Sequence, residues 1–220
     1  MRPRTLVIIP AAGSGTRFGG DLPKQYLLLR DRTILDRTID RFLGSDLVNE
    51  VVVAVSPDRM QPARARVRFV AGGSTRQQSV ANALAASDGF ELVAVHDAVR
   101  PFFPIDALAA LLDAARDHGA SLPALPVTDT IHVTRDGAIA STPDRAQLVA
   151  AQTPQCFRAD LLRDVLARAE RDGETGTDET GLAARYGFSV KVLPGDPRNF
   201  KITRPEDLER AAAQVLMEES

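Results

Sequence analysis

Residues 7–25 read Val-Ile-Ile-Pro-Ala-Ala-Gly-Ser-Gly-Thr-Arg-Phe-Gly-Gly-Asp-Leu-Pro-Lys-Gln, and this stretch decides the fold. The apolar run Leu6–Ile9 is rich in β-branched residues and stops at a Pro-Ala-Ala-Gly turn, so it reads as a buried strand. The loop that follows is small and Gly-rich and carries two cations, Arg17 and Lys24. Small side chains leave backbone N–H groups bare, so a phosphate can approach them closely. The two cations add the charge that a polyphosphate needs. The stretch therefore reads as a nucleoside-triphosphate cradle at the end of a strand. It is not a dinucleotide fingerprint, because Phe18 stands where the third glycine of G-x-G-x-x-G belongs. Nor is it a P-loop, since G-x-x-x-x-G-K-[ST] occurs nowhere in the chain.

Outward from that loop, strands alternate with helices. Ile34, Leu35, Ile39, Phe42 and Leu43 form a stripe at helical spacing, opened by Thr33 and stopped by Gly44. Val51–Val55 and Val67–Ala71 read as strands. The second runs into Gly72-Gly73, after which Ser74 is expected as N-cap of a helix, with Gln77 closing a capping box. Leu92–Val95 is a fourth strand and ends at His96-Asp97. A helix follows over Ile105–His118, closed by Gly119. This alternation predicts an α/β fold with a doubly wound, mostly parallel sheet and ligands at the C-terminal ends of its strands.

Residues 128–150 break the rhythm. Thr130–Thr134 and Ala138–Thr142 flank Arg135-Asp136-Gly137, and Asp-Gly is a strong hairpin signal. From the residues alone this insertion reads as a surface ornament, with an arm that docks on another subunit as the alternative. Further helices are expected near Asp160–Arg171 and Asp178–Tyr186, and a strand at Val190–Leu193. A last helix should open with Thr203 as N-cap and Glu206 at N3.

Composition narrows the function classes. A chain of 220 residues suits one α/β domain, which buries roughly 70% of its unfolded surface. The 27 basic and 29 acidic residues nearly cancel, so neither nucleic acid nor an anionic membrane is expected as a partner. The single cysteine, Cys156, reads as a small buried hydrophobe. With no apolar run of about 18 residues and no signal-peptide pattern at the start, a reducing cytoplasmic location is the expectation.

Three further places carry chemistry. Gly72-Gly73-Ser74 follows a strand and opens a helix, so its N–H groups either bind an anion or base edge or simply make a capped connection. Asp97, just past the fourth strand, is either a turn residue or a Mg²⁺ ligand beside a triphosphate. One carboxylate with phosphate oxygens and waters suits that ion, and Arg100 would add a bidentate anion site. Lys201 lies between a Pro-rich turn and the last helix, where a lysine is ordinarily a solvated charge. His96, His118 and His132 are not at metal-ligand spacing, which argues against zinc.

Taken together, Pro-Ala-Ala-Gly-Ser-Gly-Thr-Arg, Pro-Lys-Gln-Tyr, Gly-Gly-Ser-Thr-Arg-Gln-Gln-Ser-Val, His-Asp-Ala-Val-Arg-Pro, Pro-Val-Thr-Asp-Thr, Gln-Thr-Pro-Gln, Thr-Asp-Glu and Asn-Phe-Lys-Ile-Thr-Arg-Pro-Glu-Asp-Leu resemble the 2-C-methyl-D-erythritol 4-phosphate cytidylyltransferases of the non-mevalonate isoprenoid pathway. The motifs run in family order from about residue 5 to 210. The resemblance implies CMP transfer from CTP to 2-C-methyl-D-erythritol 4-phosphate, with Mg²⁺, in a homodimer. It implies that Arg17 and Lys24 stabilise the five-coordinate α-phosphate and that Lys201 positions the sugar phosphate. Ala11, Ala12, Gly13, Ser14, Gly15, Gly72, Gly73, Ser74, Ser79 and Ala98 would frame the nucleotide, and Asp97 would meet Mg²⁺ and substrate hydroxyls. Arg100, Thr153 and Thr177 would lie beside the sugar phosphate. The 128–150 hairpin becomes a dimer arm that brings Thr130 and Arg145 to the neighbouring site. Ser74 stands where some members carry Asp, so a backbone contact to cytidine is expected there. The rivals are a ribitol 5-phosphate cytidylyltransferase, a non-catalytic nucleotide-binding regulator and a nicotinamide oxidoreductase. Thr177-Asp178-Glu179 and the Gln-Thr-Pro-Gln segment favour the erythritol enzyme over the first. Arg17, Lys24, Asp97 and Lys201 together argue against the second, and Phe18 in place of the third glycine disfavours the last.

Overall fold

The computed structural model describes residues 2–13 and 22–219. In chain order it contains β1 (Thr5–Pro10), the short pair β2 (Leu28–Leu29) and β3 (Arg32–Thr33), α1 (Ile34–Leu43), β4 (Glu50–Val55), β5 (Val67–Ala71), α2 (Arg76–Ala85), β6 (Leu92–Val95), α3 (Leu108–His118) and β7 (Ala120–Pro126). There follow β8 (Val133–Arg135), β9 (Ala138–Ser141), β10 (Val149–Ala151), β11 (Gln155–Arg158), α4 (Ala159–Asp172), α5 (Glu179–Arg185), β12 (Val190–Pro194) and α6 (Glu206–Glu218).

The central sheet runs β5-β4-β1-β6-β11-β7, with β1, β4, β5 and β6 mutually parallel and β11 antiparallel between β6 and β7. One edge of β7 is shared, β11 pairing its start and β10 its end, while β12 pairs the opposite edge in parallel. The central strands β1, β4 and β6 are buried on both faces, as a parallel sheet with helices on each side requires. Val7, Ile9, Val51, Val53 and Val55 belong to the core formed with α1 and α3, whereas Leu6, Ile8, Val52 and Ala54 belong to the core formed with α2, α4 and α5. This strict alternation along β1 and β4 is the two-residue period of an extended chain. A third cluster seats α6 through Ala211 and Val215 against Leu29, Ile34, Val99 and Phe102.

The sequence places most elements to within a residue or two, and α1 has the expected Thr33 cap, whose Oγ1 accepts from Asp36 N at 3.0 Å. Two caps differ. The N-cap of α2 is Thr75, one residue later than expected, because its Oγ1 accepts from Gln78 N. Gln78, not Gln77, closes the box by accepting from Ser74 N and Oγ. At α6 Thr203 does not cap. Asp207 reaches back instead and accepts from the N–H groups of Thr203 and Arg204 at 2.7 and 2.8 Å. The hairpin is present with a shorter first strand, and Asp136 and Gly137 both take positive φ (52° and 78°) at its turn, as a two-residue primed turn demands. Cys156 is fully buried, and burial pushes its thiol pKa up, which fits an inert core residue.

Candidate active site

The chain leaves β1 toward β4 on one side and leaves β6 toward β7 on the other. The crevice at the C-terminal ends of β1 and β6 is therefore the point where strand order reverses, the usual binding place in an open α/β sheet. A cleft of about 590 Å³ lies there. Its wall comes from five separated segments: Pro10–Gly13 after β1, Lys24 and Gln25, Gly73–Arg76 with Ser79 at the start of α2, Asp97–Val99, and Lys201.

Each segment is braced from behind. Gln25 is buried and donates through Nε2 to Ala11 O at 2.7 Å and Gly13 O at 2.9 Å, which fixes the path of the chain leaving β1. Gly72 packs so closely that a Cβ there would lie 2.4 Å from Ala12 Cβ, and Gly73 N donates to Ser79 Oγ at 3.0 Å. These glycines let the β5–α2 turn touch the β1 loop. The first turn of α2 then opens at the cleft, where a helix N-terminus favours anions.

Asp97 is the charged centre. Its side chain is 10% exposed and meets three cations: Arg76 Nε 3.4 Å from Oδ1, Arg100 Nε 3.2 Å from Oδ2 and Lys201 Nζ 3.0 Å from Oδ2. Burial alone would raise its pKa, but Arg76, Lys201 and Arg100 outweigh that and hold the carboxyl well below the usual range. Its backbone N–H donates to Thr153 Oγ1 at 3.0 Å. Arg100 O can only accept, so His96 Nε2 carries a hydrogen and donates to it at 2.9 Å. Burial lowers the His96 pKa to about 4, so the ring is neutral and its Nδ1 accepts from the Thr153 hydroxyl, 3.1 Å away. Its ring packs edge-on to Phe42 at 4.8 Å between centroids.

The cleft thus gathers Ala11, Ala12, Gly13, Lys24, Gly73, Ser74, Ser79, Asp97, Ala98 and Lys201, with Gly72 behind them. Arg17, Ser14 and Gly15 lie outside the described residues. Three of the expected residues stand apart from the open cleft in this structure. Arg100 is not an open anion site, because its guanidinium is committed to Asp97 and, through Nη1 at 2.7 Å, to Asn199 O. Thr153 is buried and spends its hydroxyl on Asp97 and His96, so it braces the site from behind. Thr177 is exposed before α5 and does not line the cleft. Thr130 is exposed on the arm segment, and Arg145 donates to Thr128 O at 2.9 Å beside a second hollow at the base of β10 and β12. Neither lines this chain's own cleft.

Two site residues escaped the sequence. Arg76 lines the cleft and joins Asp97 to Glu179, whose Oε2 is 2.5 Å from Nη1. Glu179 is almost fully buried, and burial pushes its pKa up while Arg76 pulls it only part of the way back. Burial would lower the pKa of Arg76, but Glu179 and Asp97 together raise it. Among the described residues no cluster of three His, Cys, Asp or Glu side chains could cage a metal. A single ionised carboxylate at the cleft nevertheless fits Mg²⁺ brought in with a triphosphate, since that ion keeps most of its ligands from phosphate and water. No helix among the described residues is long and apolar enough to cross a membrane.

Comparison with known proteins agrees with this geometry. The family model for 2-C-methyl-D-erythritol 4-phosphate cytidylyltransferase (IspD) matches residues 5–219. The protein of that name from Symbiobacterium thermophilum is 46% identical over 222 residues, covering 97% of this chain and 92% of the relative. The one from Solibacter usitatus is 44% identical over 229 residues, covering 94% of each. The crystal structure of the Thermus thermophilus enzyme superposes with a TM-score of 0.83 at 38% identity, covering 96% of this chain and 98% of that one. The chain belongs to the 2-C-methyl-D-erythritol 4-phosphate cytidylyltransferase family.

Proposed function

We propose that this chain transfers CMP from CTP to 2-C-methyl-D-erythritol 4-phosphate, yielding 4-diphosphocytidyl-2-C-methyl-D-erythritol and pyrophosphate. The observation that carries the reading is the convergence of Lys24, Lys201, Asp97 and the Gly73–Ser74 turn on one cleft at the strand switch point. The attacking oxygen belongs to a phosphate monoester that is largely dianionic at neutral pH, so no general base is required. It forms a bond to the α-phosphorus as the bond to the bridging oxygen of pyrophosphate breaks. The barrier lies in bringing two anions together and in the charge that grows on the α-phosphate.

Preorganised cations address both problems. Lys24 stabilises the α-phosphate, and the family resemblance gives Arg17, outside the described residues, the same role. Lys201, with a half-exposed side chain, turns from Asp97 to hold the sugar phosphate in line. Asp97 meets the substrate hydroxyls and Mg²⁺. When bound, that ion neutralises phosphoryl oxygens as a Lewis acid. Gly73, Ser74 and Ser79, with the Ala11–Gly13 backbone, frame the nucleotide.

The same reading treats residues 1–220 as one cytoplasmic catalytic unit and the 128–150 hairpin as the arm of a homodimer. Ile131, Val133, Ile139 and Val149 are all exposed on that segment, and an apolar arm of this kind favours a covering partner. Thr130 and Arg145 would then complete the partner's sugar-phosphate site.

Pyrophosphate release from CTP and Mg²⁺ tests the substrate directly. It should be fast with 2-C-methyl-D-erythritol 4-phosphate and slow with ribitol 5-phosphate. Equal or reversed rates would assign the chain to the ribitol enzyme's reaction.

A further inference from the structure

The guanidinium of Arg76 is divided unequally between two carboxylates. Its Nη1 lies 2.5 Å from Glu179 Oε2, a tight charge-assisted contact, while its Nε stands 3.4 Å from Asp97 Oδ1. An unrestrained Arg–carboxylate pair closes to about 2.8 Å. Arg76 is thus held back from Asp97 by a carboxylate that is itself fixed. Glu179 is the first residue of α5 and is 1% exposed. The start of α5 is tied to the sheet through Gln155, which donates to Asp178 Oδ2 at 2.7 Å and accepts from Thr180 N at 3.1 Å. Gln155 pairs with Val95 in β6, two residues before Asp97. The separation of Arg76 from Asp97 is therefore built on the same strands that carry Asp97.

The consequence falls on one atom. Among the described residues, Asp97 Oδ2 already takes Arg100 and Lys201, whereas Oδ1 has the long contact to Arg76. We propose that Glu179 is a positioning residue which, by holding Arg76 away from Asp97, keeps Asp97 Oδ1 open to the metal-bound triphosphate. This rests on the assignment of Asp97 to the reacting complex.

Calorimetric titration of CTP into the full-length protein, with Mg²⁺ and separately with a chelator, tests the proposal alongside thermal midpoints. Glu179→Gln removes the charge that holds Arg76 and lets it close on Asp97. We expect the Mg²⁺-dependent gain in CTP affinity to fall ~tenfold, with chelator affinity within ~twofold of the parent. Adding Arg76→Met to that variant removes the masking group and should recover the gain to within ~threefold. If Glu179→Gln does not fold, Glu179→Asp loosens the same grip by one methylene and should show the same selective loss.

Glu179 is only a structural brace if affinities fall equally in both arms, or if the thermal midpoint drops while both affinities hold. The proposal also fails if the double variant stays as weak as Glu179→Gln. Asp97→Asn separates the two layers. Loss of the Mg²⁺-dependent gain in Asp97→Asn but not in Glu179→Gln overturns only the role of Glu179. Retention of the gain in Asp97→Asn overturns the assignment of Asp97 and this proposal with it.

Discussion

Lys201 Nζ sits 3.0 Å from Asp97 Oδ2, across more than a hundred residues of chain, and this contact joins the last loop of the protein to the centre of its sheet. The two residues neutralise each other before substrate arrives. Replacing Lys201 by Ala should leave Asp97 with Arg76 and Arg100 and the fold intact. Loss of one electrostatic stabiliser of this kind lowers turnover by ~10²–10³, with the half-saturation for the sugar phosphate rising and that for CTP little changed. Steady-state kinetics with each substrate varied would show this. An unchanged turnover would return Lys201 to the status of a surface charge.

Lys24→Ala should lower turnover far more than it raises the half-saturation for CTP, because its charge is needed most as charge builds on the α-phosphate. A rate loss of ~10²–10³ is the expected scale. An equal rise in half-saturation with turnover preserved would make Lys24 a ground-state binding residue.

Two glycines of the cleft should separate stability from binding. A Cβ at Gly72 would meet Ala12 Cβ at 2.4 Å and Ser79 Oγ at 3.0 Å, whereas at Gly13 it meets nothing within 4 Å among the described residues. Gly72→Ala therefore forces the β1 and β5 loops apart and should cost about 1–3 kcal/mol of stability. Gly13→Ala should keep the parental thermal midpoint and weaken CTP binding, because the added methyl enters the cleft. Equal midpoints for the two variants would contradict the packing described above.

Stability should depend on pH through His96. Its folded pKa of about 4 lies below the ordinary 6.5, so the unfolded chain takes up a proton first as pH falls. The contribution is complete above pH 6.5 and is lost between about pH 6.5 and pH 4, amounting to about 3 kcal/mol. Denaturant unfolding at several pH values should show this loss in the parent and a shallower one in His96→Gln. Parallel curves would mean that His96 titrates alike in the folded and unfolded chain.

The arm can be tested by complementation. If Arg145 acts in the partner's site and Lys24 in its own, the Lys24→Ala and Arg145→Ala homodimers should each be nearly inactive. A mixed dimer keeps one whole site. Random reassortment gives about half mixed dimers, so about a quarter of parental activity should return. Mixed dimers that form and stay inactive would leave the hairpin as a surface ornament.

The frame of the protein was legible because it rests on local signals. Val51–Val55 and Leu92–Val95 are solid apolar runs, and Thr33 and Gly44 bracket a stripe of period 3.6. Caps were less secure: Ser74 and Thr75 are adjacent and both suit an N-cap, and only the geometry at Gln78 chooses between them. The pairing of Arg100 has a local signal, a carboxylate three residues earlier that can claim its guanidinium. Arg76 and Glu179 lie 103 residues apart, so their pairing depends on how β11 and α5 fold back and no local pattern announces it.

Lys201 also sets the moment at which this protein can begin to work. Ile202 N donates to Val99 O at 3.0 Å, and Arg100 donates to Asn199 O at 2.7 Å, so the segment bearing Lys201 docks onto a loop made a hundred residues earlier. Domains tend to fold from the N-terminus as synthesis proceeds. A nascent chain could therefore complete β1, β4, β5 and β6, and with them the β1 and β5 loops, while still tethered to the ribosome, yet lack the cation that is proposed to orient the second substrate. A chain that stops just short of Lys201 would keep the nucleotide wall of the cleft and, on the proposed function, would not turn nucleotide over.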